Sequence, residues 1–222
     1  MTKTGKYLLF IMIVIVSCGT PSAPQTGING LTLKKTGAGT HPLAAAARIQ
    51  IGTVTEYDTG YYKGGYPPEG RGACSDLVER ALYSNGYDLK KNIDTDMKKN
   101  PRLYPGTPDP NINFRRVVNV KIFLDRFAEK LPVCVTDECF KKGVWQPGDI
   151  VTYDQIPGSL WHIAVVSDSS RPLRENSSIR VPLLIHNYGK GAVEDDLLLH
   201  WPAPISGHYR FKEFQRHYYN FN

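Results

Sequence analysis

Apolar positions in this 222-residue chain change period past its midpoint. Leu77, Val78, Ala81 and Leu82 recur at helical spacing, and Gly86 supplies a stop. Val117, Val120, Ile122, Phe123, Leu124 and Phe127 mark a second packed helix over 117–130. Ahead of these, Leu43 to Ile49 reads as a first helix capped by Thr40, with Pro42 tolerated in its first turn. Thr53 to Tyr57 reads as a short extended piece, and a long irregular region runs from Asn85 to Asn113 with a short helix at Asp94 to Asn100. From Trp145 onward the pattern is that of strands: a turn at Pro147-Gly148-Asp149, then Ile150–Tyr153, His162–Ser167, Val181–Asn187 and Ser206–Phe211. Helices followed by an antiparallel sheet predict an α+β domain, with the helix that opens at Cys74 packed on the sheet.

The N-terminus stands apart. Lys3 and Lys6 precede an apolar run from Tyr7 to Val16, too short for an ordinary membrane span. Ile15-Val16-Ser17-Cys18 resembles the lipobox of bacterial lipoproteins, which implies removal of residues 1–17 and lipidation of Cys18. An uncleaved anchor is the alternative. Residues 18–40, rich in Gly, Ser, Thr, Pro and Lys, read as a flexible tether, and residues 41–222 as one folded domain. The expected location is the cell envelope, lipid-anchored; Gly19 after the cysteine fits an outer-membrane or periplasmic destination in a Gram-negative host. Composition supports a real core, at 41% hydrophobic and 22% charged. Net charge is +6, falling to +4 without Lys3 and Lys6. The charges are scattered rather than striped, which speaks against nucleic-acid binding. Oligomeric state is left open.

Export gives the four cysteines meaning. Cys18 takes lipid, Cys134 and Cys139 lie five apart in one loop and can bridge, and Cys74 is left over. Cys74 follows a glycine-rich loop and falls in the first helical turn, where free backbone N–H groups and the helix dipole favour a thiolate and can hold an oxyanion. The competing reading is a small apolar residue on the buried helix face.

A thiolate nucleophile needs a base, and the base a third group to hold its ring. His162 and His186 are equidistant from Arg174, so a hairpin turning there places them opposite each other, about 5 Å apart on one face. His162 is then the base and His186 the orienting group; a bulge would bring Asn187 into that role instead. His41, His200, His208 and His217 lack such pairing and read as structural. Zinc on Cys74, His162 and His186 is the rival, unsupported by any CxxC or HxxxH pair, so no metal or other cofactor is expected. Asp109-Pro110-Asn111-Ile112-Asn113 imitates the start of a calcium loop but has Phe114 and Val120 where glycine and glutamate are required. Arg115 and Arg116 read as solvated charge, or as a pair meeting a substrate carboxylate.

The order of a GG loop, a cysteine at a helix start, PGD before a strand and a histidine opening the next resembles the NlpC/p60 peptidases. Tyr57-Asp58, Gly64-Gly65-Tyr66-Pro67-Pro68, Cys74-Ser75-Asp76, Asp96-Met97, Pro108 to Ile112, Arg115-Arg116-Val117, Pro147 to Val151, His186-Asn187 and Gly207 to Arg210 more closely resemble the DUF1287 family, over about residues 43–211. The resemblance implies a papain-like (NlpC/p60-like) fold with Cys74 as nucleophile, His162 as base and His186 as third polar residue. It also implies a second oxyanion donor from Tyr61 or Tyr62, while Asp76 and Asn187 are further oxyanion or substrate-binding candidates. Ala73 stands where NlpC/p60 enzymes usually have aspartate, so specificity for the same bond does not carry over. The expected activity is a tethered cysteine amidase or endopeptidase acting on peptidoglycan stem peptides. The alternatives are a non-catalytic envelope-binding lipoprotein and an acyl or peptidyl transferase.

Overall fold

The computed structural model describes residues 41–154 and 161–211. The signal segment, Cys18, the tether, Thr40 and His217 lie outside these. The first helix, α1 (Pro42–Arg48), is capped by His41, whose Nδ1 accepts from the Leu43 N–H at 3.3 Å, in place of Thr40. Pro42 costs nothing at the first helical position, where its missing N–H would be unpaired. Ala44 to Ala47 are buried, small enough to let α1 lie close against its neighbours.

Next come two short parallel strands, β1 (Glu56–Tyr57) and β2 (Arg71–Gly72), which set Tyr57 level with Gly72. Directly after β2 the chain enters α2 (Cys74–Ser84). The helix α3 (Leu89–Lys99) begins five residues before the expected Asp94, with Leu89, Ile93 and Met97 buried at four-residue intervals and Asp88 capping the Lys91 N–H at 2.8 Å. Then α4 (Val117–Phe127) buries Val117, Val120, Phe123 and Leu124 and stops before Ala128. The last residues assigned to that helix by periodicity instead form β3 (Glu129–Lys130).

Cys134 and Cys139 are bridged, with Cα atoms 6.0 Å apart, and Cys139 sits in a short helix, α5 (Asp137–Lys141), rather than in a loop. The strands that follow are β4 (Ile150–Tyr153), β5 (His162–Pro172), β6 (Arg180–Asn187), β7 (Ala192–Asp195) and β8 (Ile205–Arg210). They form a six-stranded antiparallel sheet in the order β3-β8-β4-β5-β6-β7.

Alternation along the strands divides the core in two. Ile163, Val165, Ile185 and Tyr209 face the helices with Leu77, Val78 and Val120, while Val151, Tyr153, Ala164, Val166 and Leu184 face Trp145 and Leu198 on the other side. This is an α+β domain with helices on an antiparallel sheet. Between β4 and β8, Asp149 takes Gln146 N–H at 2.8 Å, His208 Nε2 at 2.7 Å and both Arg210 donors at 2.6 and 2.7 Å. Burial acts to raise its pKa, but these partners hold it below the usual carboxylate range. The PGD turn and the GHYR strand are thus one buried cluster, and His208, stacked on Trp145 at 3.8 Å, is structural.

Helix α2 is so enclosed that it also buries Glu79, whose Oε1 accepts from the Tyr66 hydroxyl at 3.0 Å while Oε2 has no hydrogen-bond partner. Burial pushes this carboxyl up to about 8. A folded-state value above the unfolded one means stability is complete below about pH 4.5 and declines as pH rises toward about 8. Glu79→Gln should therefore flatten the decline. Urea midpoints at pH 5 and pH 8 test this, and equal pH dependence in both proteins would contradict it.

Candidate active site

Cys74 owes its place to a crowded approach. A Cβ at Gly72 would lie 3.0 Å from Arg80 Nη1 and 3.2 Å from Asp76 Cβ, so a side chain there would push these neighbours back by a few tenths of an ångström where the strand runs against α2. Ala73 then caps the helix without a side-chain acceptor, and Asp76 accepts the Ala73 N–H at 2.6 Å. The thiol is 3% exposed and is the one free cysteine among the described residues. Its sulfur meets the Ile163 N–H at the start of β5, the Ser75 and Cys74 N–H groups, and the Tyr57 hydroxyl.

The helix start alone predicts a thiolate, and here the structure differs. Burial outweighs the converging N–H groups and, with the nearby Asp76 charge, pushes the thiol up to about 11. The resting group is a neutral thiol.

His162 and His186 are brought together, His162 Nε2 to His186 Nδ1 at 3.2 Å, but not by the expected register. Val165 pairs with Ile185 and Val166 with Leu184, so the same register sets Ala164, not His162, opposite His186. The hairpin carries two extra residues on β5 between Val166 and Ser170. An offset of two keeps side chains on the same face, so the histidines meet diagonally. His186 continues to Asp195 Oδ1 at 3.0 Å, on β7.

With His186 neutral, the chain of contacts sets one arrangement of protons. A carboxylate only accepts, so His186 Nε2 carries the hydrogen; in neutral His186, Nδ1 then accepts from His162 Nε2–H. This leaves the lone pair on His162 Nδ1, which has no hydrogen bond among the described residues. Burial first, and the His186 ring second, hold His162 well below the ordinary histidine range, keeping it neutral. Trp201 stacks on it at 4.2 Å. Cys74 bonds the backbone of Ile163, one residue from His162, and forms no hydrogen bond to either imidazole.

The other candidates fall elsewhere. Tyr61, 59% exposed, donates to Asp109 at 2.8 Å, and Tyr62 donates to Asp58 at 2.6 Å; neither reaches the thiol. The Tyr57 hydroxyl instead meets the sulfur. Asp76 is buried and closed to a ligand, held by Arg115 Nε at 2.9 and 3.1 Å and Nη2 at 3.0 Å. Arg115 is therefore neither solvated nor free, and it also donates to the Asp58 and Gly60 carbonyls, tying the segment that carries Tyr61 and Tyr62 to α2. Asn187 Nδ2 donates to Gly72 O at 2.6 Å, a brace behind Cys74 rather than the orienting group of His162.

Asp109, Asn111 and Asn113 bond to one another and to Gly64, Tyr61 and Asp94. Among the described residues no group of three or more His, Cys, Asp or Glu is arranged to hold a metal ion, and no helix is long and apolar enough to cross a membrane.

A cavity of about 300 Å³ opens beside Cys74, walled by Tyr57, Ile112, Val117, Val118 and Trp161, with Arg116 on its wall. Sequence reasoning missed Tyr57, Asp195 and Trp201. Tyr57 carried a signal, its place in the matched Tyr57-Asp58 motif; Asp195 and Trp201 carried none.

The model of a family described as a domain of unknown function, DUF1287, matches residues 44–211. YijF, an uncharacterized protein of Escherichia coli K12, is 40% identical over 178 residues, which is 76% of this chain and 80% of that protein. No solved structure matches the chain.

Proposed function

The chain belongs to the DUF1287 family, and from that footing we propose that it is a cysteine amidase or peptidase of papain-like fold, with Cys74 as nucleophile, His162 as base and His186 orienting the base. The observation that carries the reading is a buried free thiol at a helix start, beside a cavity and bonded by the backbone of Ile163, the residue next to His162, whose ring heads a His–His–Asp chain.

Because thiol and imidazole rest neutral, His162 Nδ1 takes the thiol proton as sulfur attacks the amide carbonyl, not before. The Cys74 N–H and the Tyr57 hydroxyl are the donors for the resulting oxyanion. When the carbon–nitrogen bond breaks, His162 returns the proton to the departing amine. It then deprotonates the water that releases the acyl group from sulfur.

Residues 1–40, read as a lipoprotein leader and tether, put this chemistry beside the cell wall, so peptidoglycan stem peptides are the proposed substrate. Mass spectrometry of peptidoglycan incubated with wild type and with Cys74→Ala should show new peptide termini with wild type alone. Identical fragments would remove this substrate. The burial of the thiol favours one second reading, a binding module that uses the same cavity without chemistry. Binding of stem peptides that Cys74→Ala retains, with no cleavage by wild type, would select it. An acyl or peptidyl transferase would use the same residues with an amine acceptor, and would show peptide exchange in place of hydrolysis.

A further inference from the structure

Two consecutive arginines lead into α4, and the fold uses them in opposite ways. Arg115 is buried, with its guanidinium fully engaged by Asp76 and by the carbonyls of Asp58 and Gly60. Arg116 is exposed and lies on the wall of the cavity that holds Cys74. Among the described residues its guanidinium makes no hydrogen bond or ion pair. Nη1 lies near Gly106, where an added Cβ would stand 3.6 Å from it. The Arg116 charge acts on Asp109, whose oxygens are taken by Tyr61 and Asn111.

The rest of the wall has a different chemistry. Ile112, Val117, Val118 and Trp161 are apolar, with Thr59 and the Asp76-paired Arg115 completing the wall, so the cavity offers one guanidinium without a hydrogen-bonded partner at the edge of a mostly apolar slot. At about 300 Å³ it is at the small end of ligand pockets, enough for a short peptide and not for a folded chain. An arginine fork matches a planar carboxylate by two parallel hydrogen bonds.

We propose that Arg116 recognises a free carboxylate on the substrate, so that the ligand of this cavity is a short peptide acid with an apolar side chain next to the bond that Cys74 attacks. The proposal rests on the thiol-hydrolase reading for the position of that bond, and it departs from that reading in what is bound.

The test needs no knowledge of the natural substrate. Iodoacetate and iodoacetamide alkylate the same sulfur and differ in carrying a carboxylate or a neutral amide. Their rates at Cys74 are followed in the full chain at pH 9 by mass spectrometry of the Cys74 peptide, for wild type, Arg116→Gln and Arg116→Lys. The iodoacetate-to-iodoacetamide ratio should fall about tenfold in Arg116→Gln and by less in Arg116→Lys, since lysine keeps the charge and loses the fork. An unchanged ratio overturns the proposal and leaves the nucleophile reading standing.

If neither reagent modifies Cys74, the nucleophile reading falls, and the carboxylate site is judged by calorimetry with acetyl-alanyl-alanine and its carboxamide. Binding of the acid about tenfold tighter than the amide, lost in Arg116→Gln, supports the site. Equal binding, or none, overturns it.

Discussion

His162→Ala is expected to lower hydrolysis by about 10²- to 10⁴-fold, the range in which a positioned general base contributes. The size of the effect follows from the resting protonation of the pair. Were Cys74 already a thiolate, removing the base would cost little in the attack itself. Burial instead pushes the thiol up to about 11 and holds the imidazole well below its ordinary value, so no ion pair waits in the resting site. In the proposed mechanism the proton moves during attack, and His162 Nδ1 is the lone pair assigned to take it.

The same argument fixes a pH dependence with a definite sign. A thiol whose pKa is raised stays protonated as pH climbs past the free-cysteine value of about 8.5. Alkylation of wild-type Cys74 by iodoacetamide should keep rising tenfold per pH unit through pH 9 and 10. A plateau below pH 8.5 would mean a preformed thiolate and would contradict this account. Asp195→Asn should cost less than His162→Ala, because Asp195 acts through His186 and is 51% exposed. Its effect should appear in the pH profile of hydrolysis. Hydrolysis by His162→Ala within threefold of wild type would remove His162 from the role of base.

Parts of this site were legible in the chain because they depend on local spacing. The period of Leu77, Val78, Ala81 and Leu82 places Cys74 at a helix start, and that needs no tertiary knowledge. The pairing of His162 with His186 followed from symmetry about Arg174, and it survived a wrong register only because the offset was two residues. An offset of one would have turned Asn187 onto that face and given a different triad.

What escaped was set by distant packing. Lys90, Lys91 and Asn92 dilute the apolar period at the start of α3, whose helical state is fixed by Leu89, Ile93 and Met97 reaching the core. Tyr57 prevailed over Tyr61 and Tyr62 because a two-residue parallel ladder sets it level with Gly72, a register that no local pattern encodes. Asp195 belongs to a four-residue strand too short to show alternation. The pKa of Cys74 escaped for a related reason. A helix start is visible in sequence, whereas the burial that outweighs it is not.

Asp76→Ala should destabilise the protein by about 3–5 kcal/mol, because it leaves the Arg115 guanidinium buried with its charge unpaired. The loss has three parts at one point: the bidentate ion pair, the cap on the Ala73 N–H, and the anchor through which Arg115 grips the carbonyls of Asp58 and Gly60. A double variant separates the charge from the rest. Arg115→Met added to Asp76→Ala removes the stranded cation and keeps much of its volume, so it should recover part of the stability.

Urea unfolding of the two single variants and the double gives the coupling between the sites directly. A loss below about 1 kcal/mol in Asp76→Ala would place this pair among weak surface bridges, against its burial. The consequence reaches the chemistry, because the same pair fixes the first turn of α2 against the loop leading to it. Where the double variant regains stability without regaining activity, the Asp76–Arg115 pair is shown to serve the position of Cys74 and not only the fold.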